Sequence, residues 1–305
     1  MNKESIISSV KTIFFPLIII WKYFSLKKEV MFKLEGNLII KLPTVNLSYF
    51  LSKKKISFIE NNYSISERVD NEALLRKVVF ELIDSGLILK SKHIVDIGSW
   101  IGDNSIVWAG LIKEGGGSIY AIDPSPSNII YGESLCEINN LSNIHWINEV
   151  CSNISGAEIF YRGNINHCDF NRSGIGKKYF KTTKTIDSIV PKSEWDKFSL
   201  IHLDVEHLEE EVLLGAMQIV SHSKPIIIFE QQISDVDPNS IYNHIKKFNY
   251  DLYMINEVPP GGRLDTRNFI AIQNDVDISE INQISLNRFD GCWPAVFGPS
   301  LIKFN

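Results

Sequence analysis

What the sequence has little of narrows the field first. Its four cysteines, Cys136, Cys151, Cys168 and Cys292, are widely scattered, and no two have C-x-x-C spacing. That removes the usual zinc and dithiol-redox arrangements and favours a reducing compartment with free thiols, with two disulfides as the alternative. Positive charge is also short: 31 Lys and Arg against 36 Asp and Glu leave a formal net charge of −5. No global basic field draws the chain to nucleic acid. The clusters Lys53-Lys54-Lys55 and Lys177-Lys178 are brief enough to be solvated surface. Long apolar runs are missing too. IFFPLIIIW (13–21) lies between Lys11 and Lys22 and is interrupted by Pro16. It is nearer half of the about 20 residues that a spanning helix needs. No small-residue cleavage site follows it, which weighs against a secretory leader. The expectation is a packed or membrane-surface helix, in a cytoplasmic protein that this segment could bring to a membrane. Internal repeats and low-complexity tracts are absent.

What is present has ordinary globular composition, with 44% hydrophobic and 22% charged residues, and so argues against disorder. Residues 1–90 read as an N-terminal extension. FKLEGNLIIKL suits short strands, and ERVDNEALLRKVVFELIDSG has helical spacing, with Val69, Leu74, Val78 and Leu82 on one face and Gly86 as a stop. From residue 93 short apolar runs alternate with helical segments: HIVDIGS, SIYAIDPS, IHWINEVCS, SLIHLDVE, PIIIFEQ, YDLYMINEV and NFIAIQND are the strands. Strands alternating with crossover helices imply a parallel sheet covered on both faces. The last two lack an intervening helix and should pair antiparallel at an edge. The predicted fold is α/β, a doubly wound, mostly parallel, Rossmann-like sheet over 91–275, with an antiparallel edge pair and an N-terminal α+β extension. A C-terminal tail, 276–305, is aromatic and has no assigned role.

In such sheets ligands bind beyond the carboxyl ends of the strands. Four of those ends carry acids: Asp96, Asp123, Asp204 with Glu206, and Glu230. After the first strand, Gly98 and Gly102 allow close backbone approach just before a helix. A dinucleotide turn would be G-x-G-x-x-G. This one is G-x-x-x-G, with Trp100 in place of the middle glycine. Asp96 within the turn would repel pyrophosphate but suits a cationic ligand. S-adenosylmethionine, with an ammonium, a sulfonium and no phosphate, fits. Asp123 stands at the second strand's tip, where an acid can accept hydrogen bonds from both ribose hydroxyls. An Asx-turn before Pro124 would place the same residue there for purely local reasons.

Taken together, VDIGSWIGDNS, YAIDPSPSN and DVEHLEEEVLLGA with KPIIIFE behind it resemble the successive signature segments of FkbM-type methyltransferases. KTTKTIDSIV resembles that family's stretch before the fourth strand, and the likeness covers about 65–275. It implies the class I methyltransferase fold and S-adenosylmethionine as cofactor. It also implies methyl transfer to a hydroxyl of a sugar, a glycan or another small molecule. Carried over by position, it places Asp96, Gly98, Ser99, Gly102, Asp123, Pro124 and Ser125 at the cofactor. The family's third segment usually runs D-V-E-G-x-E-x-x-V-L-x-G-A. Here Asp204, Val205, Glu206, Glu209, Val212, Leu213, Gly215 and Ala216 keep that spacing, while His207 replaces the glycine.

Asp204, Glu206 and His207 are therefore the expected catalytic set. Strand alternation would turn Asp204 and Glu206 to one side. One of them could act as general base on an acceptor hydroxyl. With Glu230 they could instead hold a divalent cation; the base is favoured and no metal is expected. Glu209 would brace the turn, and Glu210 and Glu211 are exposed first-turn acids favoured by the helix dipole. His202 shares the face of Asp204 and is expected to be a core histidine satisfied by backbone, with site membership as the alternative. Acceptor contacts are expected from the loops RGNINHCDFNRSGIGKK and PPGGRLDTR, through His167, Arg172 and Arg263. A binding or scaffold protein that kept the fold without the chemistry is the competing reading, and His207 is the residue that favours it.

Overall fold

The computed structural model describes residues 29–33, 39–43, 73–164, 167–170, 178–232, 238–256, 266–283 and 299–304. The apolar segment 13–21, Val69, and the loop positions Arg172 and Arg263 lie outside them, and His167 is described only as a strand position. Among the described residues no helix is long and apolar enough to cross a membrane.

The N-terminal strands expected from FKLEGNLIIKL form an antiparallel pair, β1 (Glu29–Lys33) and β2 (Ile39–Pro43). The main sheet has eight strands. Five run parallel: β3 (His93–Ile97), β4 (Ile119–Ile122), β5 (Ile144–Ile147), β10 (Phe198–Leu203) and β11 (Ile226–Gln232). β12 (Tyr250–Ile255) and β13 (Thr266–Gln273) are the expected antiparallel pair, and β14 (Leu301–Lys303), from the C-terminal tail, extends that edge. The spatial order is β14-β12-β13-β11-β10-β3-β4-β5.

Alternation along the central strands sorts their side chains into two cores. Ile94, Leu200 and Ile228 face one layer of helices, α1 (Ala73–Asp84), α2 (Asp103–Ile112) and α3 (Pro126–Asn139). Val95, Ile201 and Phe229 face the other, α4 (Ile186–Ile189), α5 (Glu209–Leu214), α6 (Met217–Ser223) and α7 (Pro238–Ile245). The predicted apolar stripe of α1 is inside: Leu74, Val78 and Leu82 are buried, and the chain leaves the helix at Gly86 with φ +80°. α1 shares its core with Ile106 and Trp108 of α2, so this helix from the extension is packed as part of the sheet's covering layer.

Two features differ from the sequence reading. EEEVLLGAMQIVSH is two helices, not one, broken at Gly215 and Ala216. The Asp187 carboxylate caps the second by accepting the N–H groups of Gln218 (2.9 Å) and Ile219 (3.1 Å). Much of the expected loop after Arg162 is strand. β7 (Glu158–Asn164), β8 (His167–Phe170) and β9 (Lys178–Lys184), with the short β6 (Val150–Cys151), form a second sheet in the order β6-β9-β7-β8. It rises beside the carboxyl ends of β4 and β5 and is tied there by Lys181, whose ammonium donates to the backbone and side-chain oxygens of Asn148.

Candidate active site

The chain leaves β3 and reverses into α2 through Gly98 (φ +79°), Trp100 (φ +48°) and Gly102 (φ +84°). Gly98 is there for space as well as for conformation. A Cβ on it would stand 1.7 Å from the carbonyl oxygen of Asp204, so the turn lies flush against the end of β10. Asp204 N–H donates to the Ile97 carbonyl at 2.9 Å, which seals the two strand ends together. Gly98 and Ser99 N–H both donate to the Ile122 carbonyl of β4. A Cβ on Gly102 would meet the Trp146 ring at 2.4 Å. Ser99 is buried, and its hydroxyl has no protein partner among the described residues.

Asp96 does not open onto a cleft. Its side chain is 1% exposed; one carboxylate oxygen accepts the Ser105 hydroxyl and the other meets His202 Nδ1 at 2.8 Å. His202 thus finds a carboxylate on the neighbouring strand in place of the backbone partner expected, and the Trp108 ring packs edge-on against it. Register explains the pairing, because Asp96 and His202 are direct partners across β3 and β10.

Asp123, at the tip of β4, gathers the second part of the site. One oxygen accepts the Ser125 N–H (2.8 Å) and the Asn128 side-chain amide (3.0 Å). The other accepts the Trp100 N–H at 3.1 Å, which joins the glycine turn to the second strand end. Asn148 donates its amide to the Asp123 carbonyl, and Lys181 holds Asn148 from behind. Burial pushes the Asp123 carboxyl up to about 7, against the pull of its three donors. Ser125 caps α3 through its hydroxyl, with Pro126 at the first helical position.

At β10 the strand ends at Leu203, and the chain turns through two consecutive left-handed residues, Glu206 (φ +54°) and His207 (φ +78°). Asp204 and Glu206 therefore lie beyond the strand, where the alternation expected from the sequence no longer applies. Glu209 braces this turn: one of its oxygens accepts the N–H groups of Val205 (3.0 Å) and His207 (3.3 Å). Burial raises Glu209 to about 7 as well. Glu210 pairs with His244 of α7 at 2.7 Å. Among the described residues no three His, Cys, Asp or Glu side chains are grouped to hold a metal.

His207 occupies a backbone conformation that costs a non-glycine residue about 1–2 kcal/mol. Glycine loses more chain entropy on folding, about 0.5–1 kcal/mol. His207→Gly is accordingly expected to stabilise the protein by about 0.5–1 kcal/mol in urea denaturation. A loss of stability would show that the imidazole makes compensating contacts.

The structure thus brings three of the four acid-bearing strand ends, those of β3, β4 and β10, into one locus: the 98–102 turn touches Asp204 on one side and Asp123 on the other. Asn128, Asn148 and Lys181 were not picked out from sequence, nor was the pairing of Asp96 with His202. Asn128 is a local partner, five residues after Asp123 in the first turn of α3, whereas strand register and the second sheet bring in the others. A family model described as Methyltransferase FkbM domain matches residues 96–252, just over half of the chain. The search of curated proteins returned no match. The Methyltransferase FkbM from Methylobacillus flagellatus KT is similar over 72% of this chain and 59% of that one, at 16% identity and TM-score 0.45. This chain therefore spans less than two thirds of that protein's length. M. jannaschii TYW2, solved in complex with AdoMet, is similar over 81% of this chain and 85% of its own, at 13% identity and TM-score 0.44. A SAM Dependent Methyltransferase from Agrobacterium tumefaciens is similar over 82% and 71% respectively, at 11% identity and TM-score 0.46. The match of the family model to the span that runs from Asp96 through both strand-end turns decides the matter: the chain belongs to the FkbM methyltransferase family.

Proposed function

We propose that this protein is an S-adenosylmethionine-dependent O-methyltransferase whose acceptor is a hydroxyl of a sugar, a glycan or another small molecule. The observation that carries the reading is the cradle itself: a glycine turn pressed on Asp204 and hydrogen-bonded to a buried Asp123. Its residues fit the cofactor in two respects. The Ser99 hydroxyl is buried with no protein partner among the described residues, and so is free to meet a ligand. Asp123, held in place by backbone and amide donors, is a carboxylate suited to ribose hydroxyls. Gly98, Ser99, Gly102, Asp123, Pro124 and Ser125 are the proposed cofactor residues. Asp96 is proposed to serve the same site from beneath, through the turn it anchors.

The bound cofactor would supply a methyl group on a positive sulfur, already a good leaving group. This chain's work is then to hold the acceptor oxygen in line and to take its proton. Asp204, Glu206 and His207 are the proposed catalytic residues. A carboxylate or imidazole at the tip of β10 would receive the hydroxyl proton as the oxygen gains its methyl. Glu209, one oxygen of which is committed to the turn, is assigned the bracing role instead. We favour this base over a divalent cation. The domain proposed for the reaction is 91–275, with 1–90 and 276–305 flanking it, and the net charge of −5 disfavours a nucleic-acid acceptor. Membrane contact through 13–21 belongs to the same proposal, in a cytoplasmic protein.

Calorimetric titration of S-adenosylmethionine into the protein tests the first half, with a micromolar Kd expected, equivalent to about −8 kcal/mol. Transfer of labelled methyl to a panel of sugars and hydroxylated metabolites tests the second. Asp204→Ala and Glu206→Ala are expected to lower the rate on the responding acceptor by about 100-fold. Folded wild-type protein that binds no cofactor would sink the reading. It would leave a binding or scaffold protein on this fold, which His207 at a glycine position favours as the second reading.

A further inference from the structure

We propose that Arg76, on the helix ahead of the matched 96–252 span, is a positioning residue for the cofactor turn; this rests on the cofactor reading above. Arg76 is 9% exposed, and its guanidinium forks onto two consecutive residues. Nε donates to Asn104 Oδ1 at 2.8 Å and Nη2 to Asp103 Oδ2 at 2.8 Å. Those are the first two residues of α2, directly after Gly102.

The placement matters because α2 begins without a cap of its own. Its N-cap is Gly102, which has no side chain to offer. Asp and Asn readily fold back onto free N–H groups at a helix start. Here both side chains accept from the guanidinium, so the first turn of α2 is tied to α1. A planar fork with two directed bonds fixes the orientation of both residues at once. It works from a rigid base, since Leu74, Leu75, Val78 and Val79 around it are buried in the core. The near end of the glycine turn is set by Gly98 against Asp204, and its far end by Arg76 through Asp103 and Asn104. The segment from 98 to 102 is thereby held at both ends before any ligand arrives, which is how a binding site avoids the cost of ordering a loop.

Arg76→Met, Arg76→Lys and Val78→Ala separate this from mere stability. S-adenosylmethionine titrations are read beside melting temperature and amide exchange of residues 102–106 in cofactor-free protein. R76M is expected to weaken binding about 10- to 50-fold and to speed exchange at 102–106. R76K restores one bond but not both, and is expected to sit several-fold below wild type. V78A, on the same helix, should lower the melting temperature yet bind within about twofold of wild type. R76M binding like wild type, unchanged exchange at 102–106, or a V78A that loses affinity as much as R76M would each overturn the proposal. If R76M does not fold, R76K decides, with unchanged affinity counting against. Wild-type protein that binds no cofactor removes the functional reading first, in a titration that involves no variant, and this inference falls with it.

Discussion

Gly98→Ala is expected to destabilise the protein by about 4 kcal/mol, at the severe end for a single substitution. Two penalties combine at this position. The left-handed backbone at φ +79° costs an alanine about 1–2 kcal/mol. The larger one is steric: the new methyl would lie 1.7 Å from the Asp204 carbonyl oxygen, which is backbone and has no rotamer to escape into. Relief requires β3 and β10 to part at their tips, which breaks the Asp204–Ile97 hydrogen bond in the middle of the sheet. Urea denaturation of wild type and variant measures the difference, and cofactor titration of whatever remains folded should show no binding. A variant within about 1 kcal/mol of wild type would mean that the two turns are not in contact in solution.

Asp123→Ala is expected to cost cofactor affinity at least about 100-fold, because one side chain serves two purposes. It offers oxygens to the ribose, and it holds Trp100 N–H and so the glycine turn. Asp123→Asn separates them by keeping the shape and removing the charge. The pH dependence carries the same information. Burial lifts this carboxyl from its ordinary range to about 7, so in cofactor-free protein it is largely protonated below that pH. Ribose hydroxyls need the ionised form as acceptor. Affinity should therefore rise between pH 6 and pH 8, by about tenfold for one proton released, and level off above. In the Asn variant the profile should be flat. A wild-type profile without that rise would take Asp123 out of the cofactor site. For stability the sign is opposite. An acid with a raised folded pKa stabilises the fold below its unfolded value, near 4, and that contribution is lost as pH climbs to about 7.

The alternation of apolar runs with helical spacing was enough to read the doubly wound sheet, because parallel strands buried on both faces leave continuous apolar runs. The antiparallel edge followed from the missing helix between YDLYMINEV and NFIAIQND, and β12 and β13 have that geometry. The second sheet was harder to see. Polar residues interrupt its strands, and the β9 segment KYFKTTK at 178–184 has none of the continuity of a buried strand. The break at Gly215 was hidden for a related reason: the apolar spacing runs on through it, and the cap that ends one helix and starts another comes from Asp187, about 30 residues earlier in the chain.

At the site, local chemistry marked the acids and glycines, since a carboxylate after an apolar strand and a glycine before a helix are visible one segment at a time. Their partners were not. Nothing within VDIGSWIG says that Asp96 will face His202, or that Gly98 will lie on the Asp204 carbonyl. Those contacts depend on the register of β3 against β10, set by packing of both faces. The turn after β10 shows the limit most clearly. By itself the sequence determined that Asp204, Glu206 and His207 arrive together at a strand end, because they are neighbours along the chain. Tertiary structure decided what each of them can reach. Two left-handed residues held by the buried Glu209 carboxylate rotate the chain out of strand alternation, and such a conformation persists only where surrounding contacts over-determine it.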